Sequence, residues 1–340
     1  MIKRVIRILL SLALAVFATA TGWLFYYANT PLQLPHTPLE FSVKQGTSLR
    51  SVAKQLTNIG VLDHPWSFIA LARVLGKAGE IKAGNYEFTN NPNPYRLLTK
   101  LTEGDVTLRE IAFIEGWTFN QLRKALDDNP EIRHDTTQLS DEEILKRIGA
   151  TENSVEGLFF PDTYFFNDGV SDITILKRAY QTMKYNTATA WETRAKDLPF
   201  SDTYQALIMA SIVEKETSQA TERGMIAAVL INRLKLGMKL QADPTVIYGL
   251  GDKFDGNLRK SDLTGDTIYN TYTREGLPPT PIALPGLASI QATLNPADTK
   301  ALYFVSRGDG TSYFSNSLEE HSRAVTKYQK SGRHNRGSGD

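Results

Sequence analysis

From Ile8 to Tyr27 the chain is uncharged and mostly apolar, whereas its later hydrophobic positions fall into short periodic patterns. As a helix rising 1.5 Å per residue, such a run makes a rod of about 30 Å, enough to cross a bilayer core. Lys3, Arg4 and Arg7 precede it, and Trp23, Tyr26 and Tyr27 close it. The positive-inside rule then makes 1–7 a cytoplasmic tip, 8–27 a transmembrane anchor, and the remainder extracytoplasmic. Ala18-Thr19-Ala20 also has the small-x-small form of a leader cleavage site, so a cleaved signal peptide stays open. Continuation of the apolar run through Trp23, Leu24 and Phe25 favours the retained anchor.

Pro31, Pro35 and Pro38 mark 28–40 as an extended stalk. Glu40 to Val43 then alternates as a strand, Gln45-Gly46 turns, and Thr47 or Ser48 caps a helix through Leu56. Its stripe is Leu49, Val52, Ala53 and Leu56, with Gly60 as the stop. A helix from Pro65, a strand at 84–88 and a helix from Pro94 to Leu101 follow. The pattern returns further on: Phe41, Val43, Gly46, Leu49, Val52 and Leu56 correspond to Ile111, Phe113, Gly116, Phe119, Leu122 and Leu126. Gly84, Tyr86 and Phe88 similarly resemble Gly157, Phe159 and the aromatics of Tyr164-Phe165-Phe166. An internal duplication and a shared strand–turn–helix grammar both account for this.

Beyond Ile173 the periodicity is helical, at 173–190, 202–217, 222–236 and 287–294. Leu302–Ser306 and Ser312–Asn316 make a hairpin across Gly308-Asp309-Gly310, and Ser317 with Glu320 forms a capping box for a helix to Gln329. The expected fold class is α+β, with a module at 41–104, a second α+β unit or connector at 105–170, and a mostly helical domain at 171–330 ending in the hairpin. The Gly, Ser and charge of 331–340 read as a disordered tail.

Composition narrows the chemistry. Lys+Arg 38 against Asp+Glu 37 leaves +1, so no basic field points to nucleic acid. The absence of cysteine excludes disulfides, thiolate metal sites and a cysteine nucleophile. His36, His64, His134, His321 and His334 show no metal-ligand spacing. Carboxylates, hydroxyls, amides and backbone remain.

The strongest candidates lie in Ser211-Ile212-Val213-Glu214-Lys215-Glu216-Thr217. At 100° per residue, Glu216 falls within about 60° of Met209, Ile212 and Val213, while Glu214 points about 160° away, beside Leu207, Ala210 and Ser211. Glu216 therefore leaves the bulkier apolar stripe, where partial desolvation raises a carboxyl pKa and keeps a proton available. Either glutamate could equally be a solvated helix-end charge. Leu240 to Tyr248, Tyr269-Asn270-Thr271-Tyr272 and Gly276-Leu277-Pro278-Pro279 add amides, hydroxyls and aromatics of the kind a sugar-binding cleft uses. Candidate substrate contacts are Gln241, Tyr248, Asn270, Tyr272 and Glu214. Asp243 reads as the N-cap before Pro244.

These segments, with Ile231-Asn232-Arg233-Leu234 and Glu156 to Tyr164, closely resemble the endolytic murein transglycosylases, the MltG or YceG-like family, over nearly the whole chain. The strand–turn–helix at 41–104 resembles, more weakly, the glycan-binding LysM module. The resemblance implies a lysozyme-like catalytic domain, with Glu216 as the catalytic acid. It also implies cleavage of the β-1,4 bond between N-acetylmuramic acid and N-acetylglucosamine to a 1,6-anhydro end. No metal or organic cofactor is implied. The implied partners are peptidoglycan glycan strands and peptidoglycan synthases, in a single-pass protein of the cytoplasmic (inner) membrane with a periplasmic catalytic domain. A looser likeness to soluble lytic transglycosylases puts Gln241 and Asn270 against substrate. Two alternatives stay open: a hydrolytic muramidase pairing Glu216 with Asp243 or Glu214, and a non-catalytic anchored glycan-binding scaffold.

Overall fold

The computed structural model describes residues 2–35, 39–44, 46–88, 90–104, 108–217 and 219–330. Pro38, Gln45 and the tail at 331–340 lie outside the described residues. The chain divides into two units, Met1–Arg109 with Phe165–Gly169, and Glu110–Tyr164 with Val170–Asp340. The stretch 105–170, expected as a second α+β unit or connector, falls mostly within the second unit.

In the first unit, the apolar run is one helix, α1 (Ile2–Asn29). Among the described residues it is the one helix long and apolar enough to cross a membrane, over Arg4–Asn29. Leu12, Leu14, Phe17 and Phe25 along it are 62%, 68%, 70% and 72% exposed, so most of its surface has no protein cover. Its last turns behave differently: Ala28 is buried, and Leu24 and Tyr27 pack against the core of the unit. Leu32 and Leu34 pack there too, and the Leu32 amide donates to the Pro92 carbonyl at 2.9 Å. The proline-bearing segment that follows α1 is therefore no free stalk; its leucines fold it onto the module.

That module is β1 (Leu39–Val43), α2 (Leu49–Asn58), α3 (Pro65–Val74), β2 (Gly84–Phe88) and α4 (Pro94–Glu103), with β1 and β2 antiparallel. Ser48 caps α2 by accepting the Ser51 amide. Leu49, Val52, Ala53 and Leu56 bury as one stripe against Phe68, Tyr86 and Leu97.

From Arg109 a related strand–helix–helix–strand order follows, interrupted by a short strand: β3 (Arg109–Ala112), α5 (Phe119–Asp127), the short β4 (Ile132–Arg133), α6 (Asp141–Ile148) and β5 (Thr163–Phe166), β3 pairing with β5. Gly46 and Gly116 both turn with positive φ (+80° and +78°), and Phe119, Leu122 and Leu126 are buried like their counterparts. The counterpart of β2 is β5, whereas Gly157 and Phe159 precede it outside regular structure.

After β6 (Val170–Ser171) and α7 (Asp172–Glu192) come α8 (Thr203–Glu216), α9 (Arg223–Lys235), α10 (Asp243–Leu250), α11 (Lys260–Thr264) and α12 (Leu287–Leu294). Residues 206–213 of α8 are buried without interruption, as expected of a helix that is apolar all round. It packs on α12, α9, α10 and α7. The hairpin β7 (Tyr303–Ser306) and β8 (Ser312–Ser315) leads into α13 (Leu318–Val325), capped by Ser317. The Glu320 carboxylate reaches the Asn316 amide at 3.0 Å.

Candidate active site

Glu216 is the last residue of α8. Thr217 turns extended (φ −149°, ψ 135°), so the helix stops there and presents the carboxyl at its open end. That end faces a pocket of about 430 Å³. One wall is Arg233, Leu240, Gln241, Asp243 and Tyr272; the other is Phe304, Val305 and Ser306 of β7 with His321 and Val325 of α13, and Gln329. Burial, and then the Asp243 carboxylate nearby, push the Glu216 pKa from 4.5 up to about 7, against the pull of Arg233. A carboxyl in this state holds its proton near neutrality and can also release it.

Arg233 ties the walls together. It is 8% exposed, and its guanidinium donates to the carbonyls of Leu302 (2.6 Å) and Leu240 (2.8 Å) and to Gln241 Oε1 (3.4 Å). The Tyr303 ring lies 5.1 Å from it. Arginine keeps its charge even when burial lowers its pKa. Gln241 has φ +50°, in the left-handed region a glutamine rarely adopts. The backbone there is pinned on both sides: its own amide donates to the Thr271 carbonyl (3.1 Å), and the Ala242 amide to Thr271 Oγ1 (3.0 Å). Observed strain of this kind, held by surrounding bonds, is a mark of functional positions.

Asp243 is not the N-cap of α10. Ala242 holds that position, and Asp243 instead accepts the Tyr272 hydroxyl at 2.5 Å on the pocket wall. Gln241 and Tyr272 thus join Glu216 in one pocket, while three other candidates lie elsewhere. Asn270 is fully buried: Nδ2 donates to the carbonyls of Asp262, Leu263 and Gly265 (3.2, 3.1 and 2.6 Å), and Oδ1 accepts the Tyr272 amide (2.8 Å). It builds the loop that carries Tyr272 and does not line the pocket. The Tyr248 hydroxyl donates to Glu156 (3.1 Å), and its ring meets Tyr269 edge-on at 4.8 Å. The Glu214 side chain, 6% exposed, accepts the Gly286 amide at 2.9 Å and pairs with Arg223 at 3.5 Å.

Sequence reasoning assigned no role to Glu156, Arg233 or His321. Glu156 is 5% exposed and accepts from the Phe119 amide (3.0 Å), the Gly157 amide (3.3 Å) and Tyr248. Burial outweighs those bonds and raises its pKa to about 7. The signal for Arg233 was present: a cation at the end of the apolar run Ile226–Ile231, on a helix buried along that run.

Residues 41–327 match the YceG-like family. A Bacillus subtilis protein named endolytic murein transglycosylase is 30% identical over 309 residues, spanning 86% of this chain and 85% of the relative. A Streptococcus pneumoniae protein of the same name is 25% identical over 324 residues; the match takes in 85% of this chain and 58% of that longer protein. The crystal structure of a YceG-like protein from Listeria monocytogenes aligns with a TM-score of 0.54 at 28% identity, covering 84% of this chain and 98% of that one.

Proposed function

The chain belongs to the YceG-like family, and from that premise we propose that it is a membrane-anchored lytic transglycosylase that cuts peptidoglycan glycan strands internally. The observation that carries the reading is Glu216, an acid with its pKa raised to about 7, lining a pocket of about 430 Å³ with Arg233, Gln241, Asp243 and Tyr272. In the proposed reaction the Glu216 carboxyl gives its proton to the glycosidic oxygen as the C1–O4 bond between N-acetylmuramic acid and N-acetylglucosamine breaks. The resulting carboxylate takes the proton from the muramyl C6 hydroxyl as O6 closes on C1. The products are a 1,6-anhydro end and a free 4-hydroxyl, the acid is restored, and no water is consumed. One group serves twice, so no second catalytic carboxylate is needed, unlike the two-carboxylate glycosidases. Gln241 and Arg233 offer amide and guanidinium hydrogen bonds to acetamide and hydroxyl groups of the strand.

Asp243 in the same pocket supports a second reading, a hydrolytic muramidase in which it activates water. Its engagement with Tyr272 favours a fixed electrostatic role instead. Mass spectrometry of digested glycan strands tests the choice: anhydro ends support the transglycosylase, and reducing ends the muramidase. Under the proposed reading α1 spans the cytoplasmic membrane with the rest outside, the first module is LysM-like and holds glycan, and the enzyme works beside peptidoglycan synthases, ending nascent strands.

A further inference from the structure

The outer face of α3 is unlike that of a helix bathed in water. Its exposed positions are Trp66, Arg73 and Val74, with Trp66 56% and Val74 70% exposed, and Leu75 just beyond is 41% exposed. A water-facing helix surface normally carries charges of both signs; α3 has Arg73 alone and no acid. The spacing of 66, 70, 73 and 74 puts these residues on one face.

Where this face sits is fixed by α1. The Trp66 ring stacks on Trp23 with centroids 5.1 Å apart and planes within 13°, and Trp23 in turn stacks on Tyr27 at 5.7 Å. Trp23 lies about 6 Å down the helix axis from Tyr27 at 1.5 Å per residue. Trp66 is therefore held level with the end of the apolar run, where tryptophan belongs at a membrane–water boundary. Leu24, Tyr27, Ala28, Leu32 and Leu34 all pack on the core of the first unit, so no free spacer lifts the unit off the end of α1.

We propose that α3 lies in the headgroup layer of the bilayer that α1 spans, seating the first unit directly on the membrane. Trp66, Val74 and Leu75 enter the boundary between headgroups and acyl chains, and Arg73 meets lipid phosphates. The inference rests on the reading of α1 as an anchor, whose lipid-facing surface it continues.

The absence of native cysteine allows a clean test. Full-length Val74→Cys and Leu12→Cys proteins are labelled with an environment-sensitive fluorophore and reconstituted into vesicles of phosphatidylcholine and phosphatidylglycerol. Quenching by lipids carrying a nitroxide near the headgroup or deep in the acyl chain is then compared. The expected result is strong shallow quenching at Val74→Cys with deep quenching at Leu12→Cys. Deep quenching at Leu12→Cys with an aqueous, unquenched Val74→Cys overturns the seating and leaves the anchor intact. An aqueous Leu12→Cys overturns both.

Discussion

Tyr272 donates its hydroxyl to Asp243 at 2.5 Å, and this bond fixes a carboxylate on the pocket wall shared with Glu216. The arrangement sets Asp243 near Glu216, the acid that the proposed reaction requires to hold its proton. Asp243→Asn removes that charge, so the Glu216 pKa falls from about 7 toward its ordinary value. The alkaline limb of the pH–rate profile, set by loss of the Glu216 proton, should move to lower pH. Release of anhydro-muropeptides across pH measures it, and an unmoved limb would show that Asp243 does not tune the acid.

The two glutamates of α8 should fail differently. Glu216→Gln cannot donate or accept the proton, and should lose on the order of 10²–10⁴-fold in rate with its fold retained. Glu214→Ala abandons the Gly286 amide and leaves the enclosed Arg223 with only the longer Glu115 contact at 3.9 Å. That should cost about 2–4 kcal/mol. Thermal melts and product release on both purified variants separate chemistry from architecture; equal melting losses would refute the division.

Glu156 should make stability pH-dependent. Its folded pKa of about 7 lies above the ordinary 4.5, so the folded state binds the proton more tightly than the unfolded chain. The associated stability is complete below the unfolded pKa and is lost as pH rises through the folded one. A change from 4.5 to about 7 corresponds to roughly 3 kcal/mol. Glu156→Gln should flatten the fall in melting temperature between about pH 5 and pH 8. A slope identical to the parent's would count against a raised Glu156.

Gln241 should trade stability for function. Gln241→Gly relieves the +50° φ and should stabilise by about 1 kcal/mol. The same change deletes the Oε1 contact to Arg233 and the pocket amide, so kcat/KM should fall. Denaturant midpoints with steady-state kinetics check both halves, and unchanged kinetics would reduce the strain to a turn requirement.

Much of this architecture was legible because it is periodic. Leu49, Val52 and Leu56 announce α2, and the matching Phe119, Leu122 and Leu126 recur as buried positions on α5. The unbroken apolar stretch of α8 is equally plain. The helix wheel separated Glu214 from Glu216 in direction but not in solvation: α8 is covered on every side, so the face away from Met209 meets Gly286 instead of water. Asn270 misled for a related reason. An amide suited to a sugar is equally suited to three backbone carbonyls, and residue type cannot say which it meets. α6 is only eight residues long, and beyond the capping box of Ser140 and Glu143 its three apolar positions, Ile144, Leu145 and Ile148, make too short a stripe to announce a helix. The role of the hairpin and α13 as the far wall of the pocket was invisible, because nothing in their local pattern refers to a glutamate so distant along the chain.

That far wall has a consequence for biosynthesis. Translation runs from the N-terminus, so the ribosome delivers Glu216 well before Phe304, His321 and Gln329. Until β7, α13 and Gln329 arrive, Glu216 lacks half its surroundings, and a polypeptide cut short just after α12 would keep Glu216 while losing the enclosure. Under the proposed reading, nonsense or frameshift alleles that interrupt the chain between α12 and Phe304 should therefore behave as nulls even where Glu216 is made.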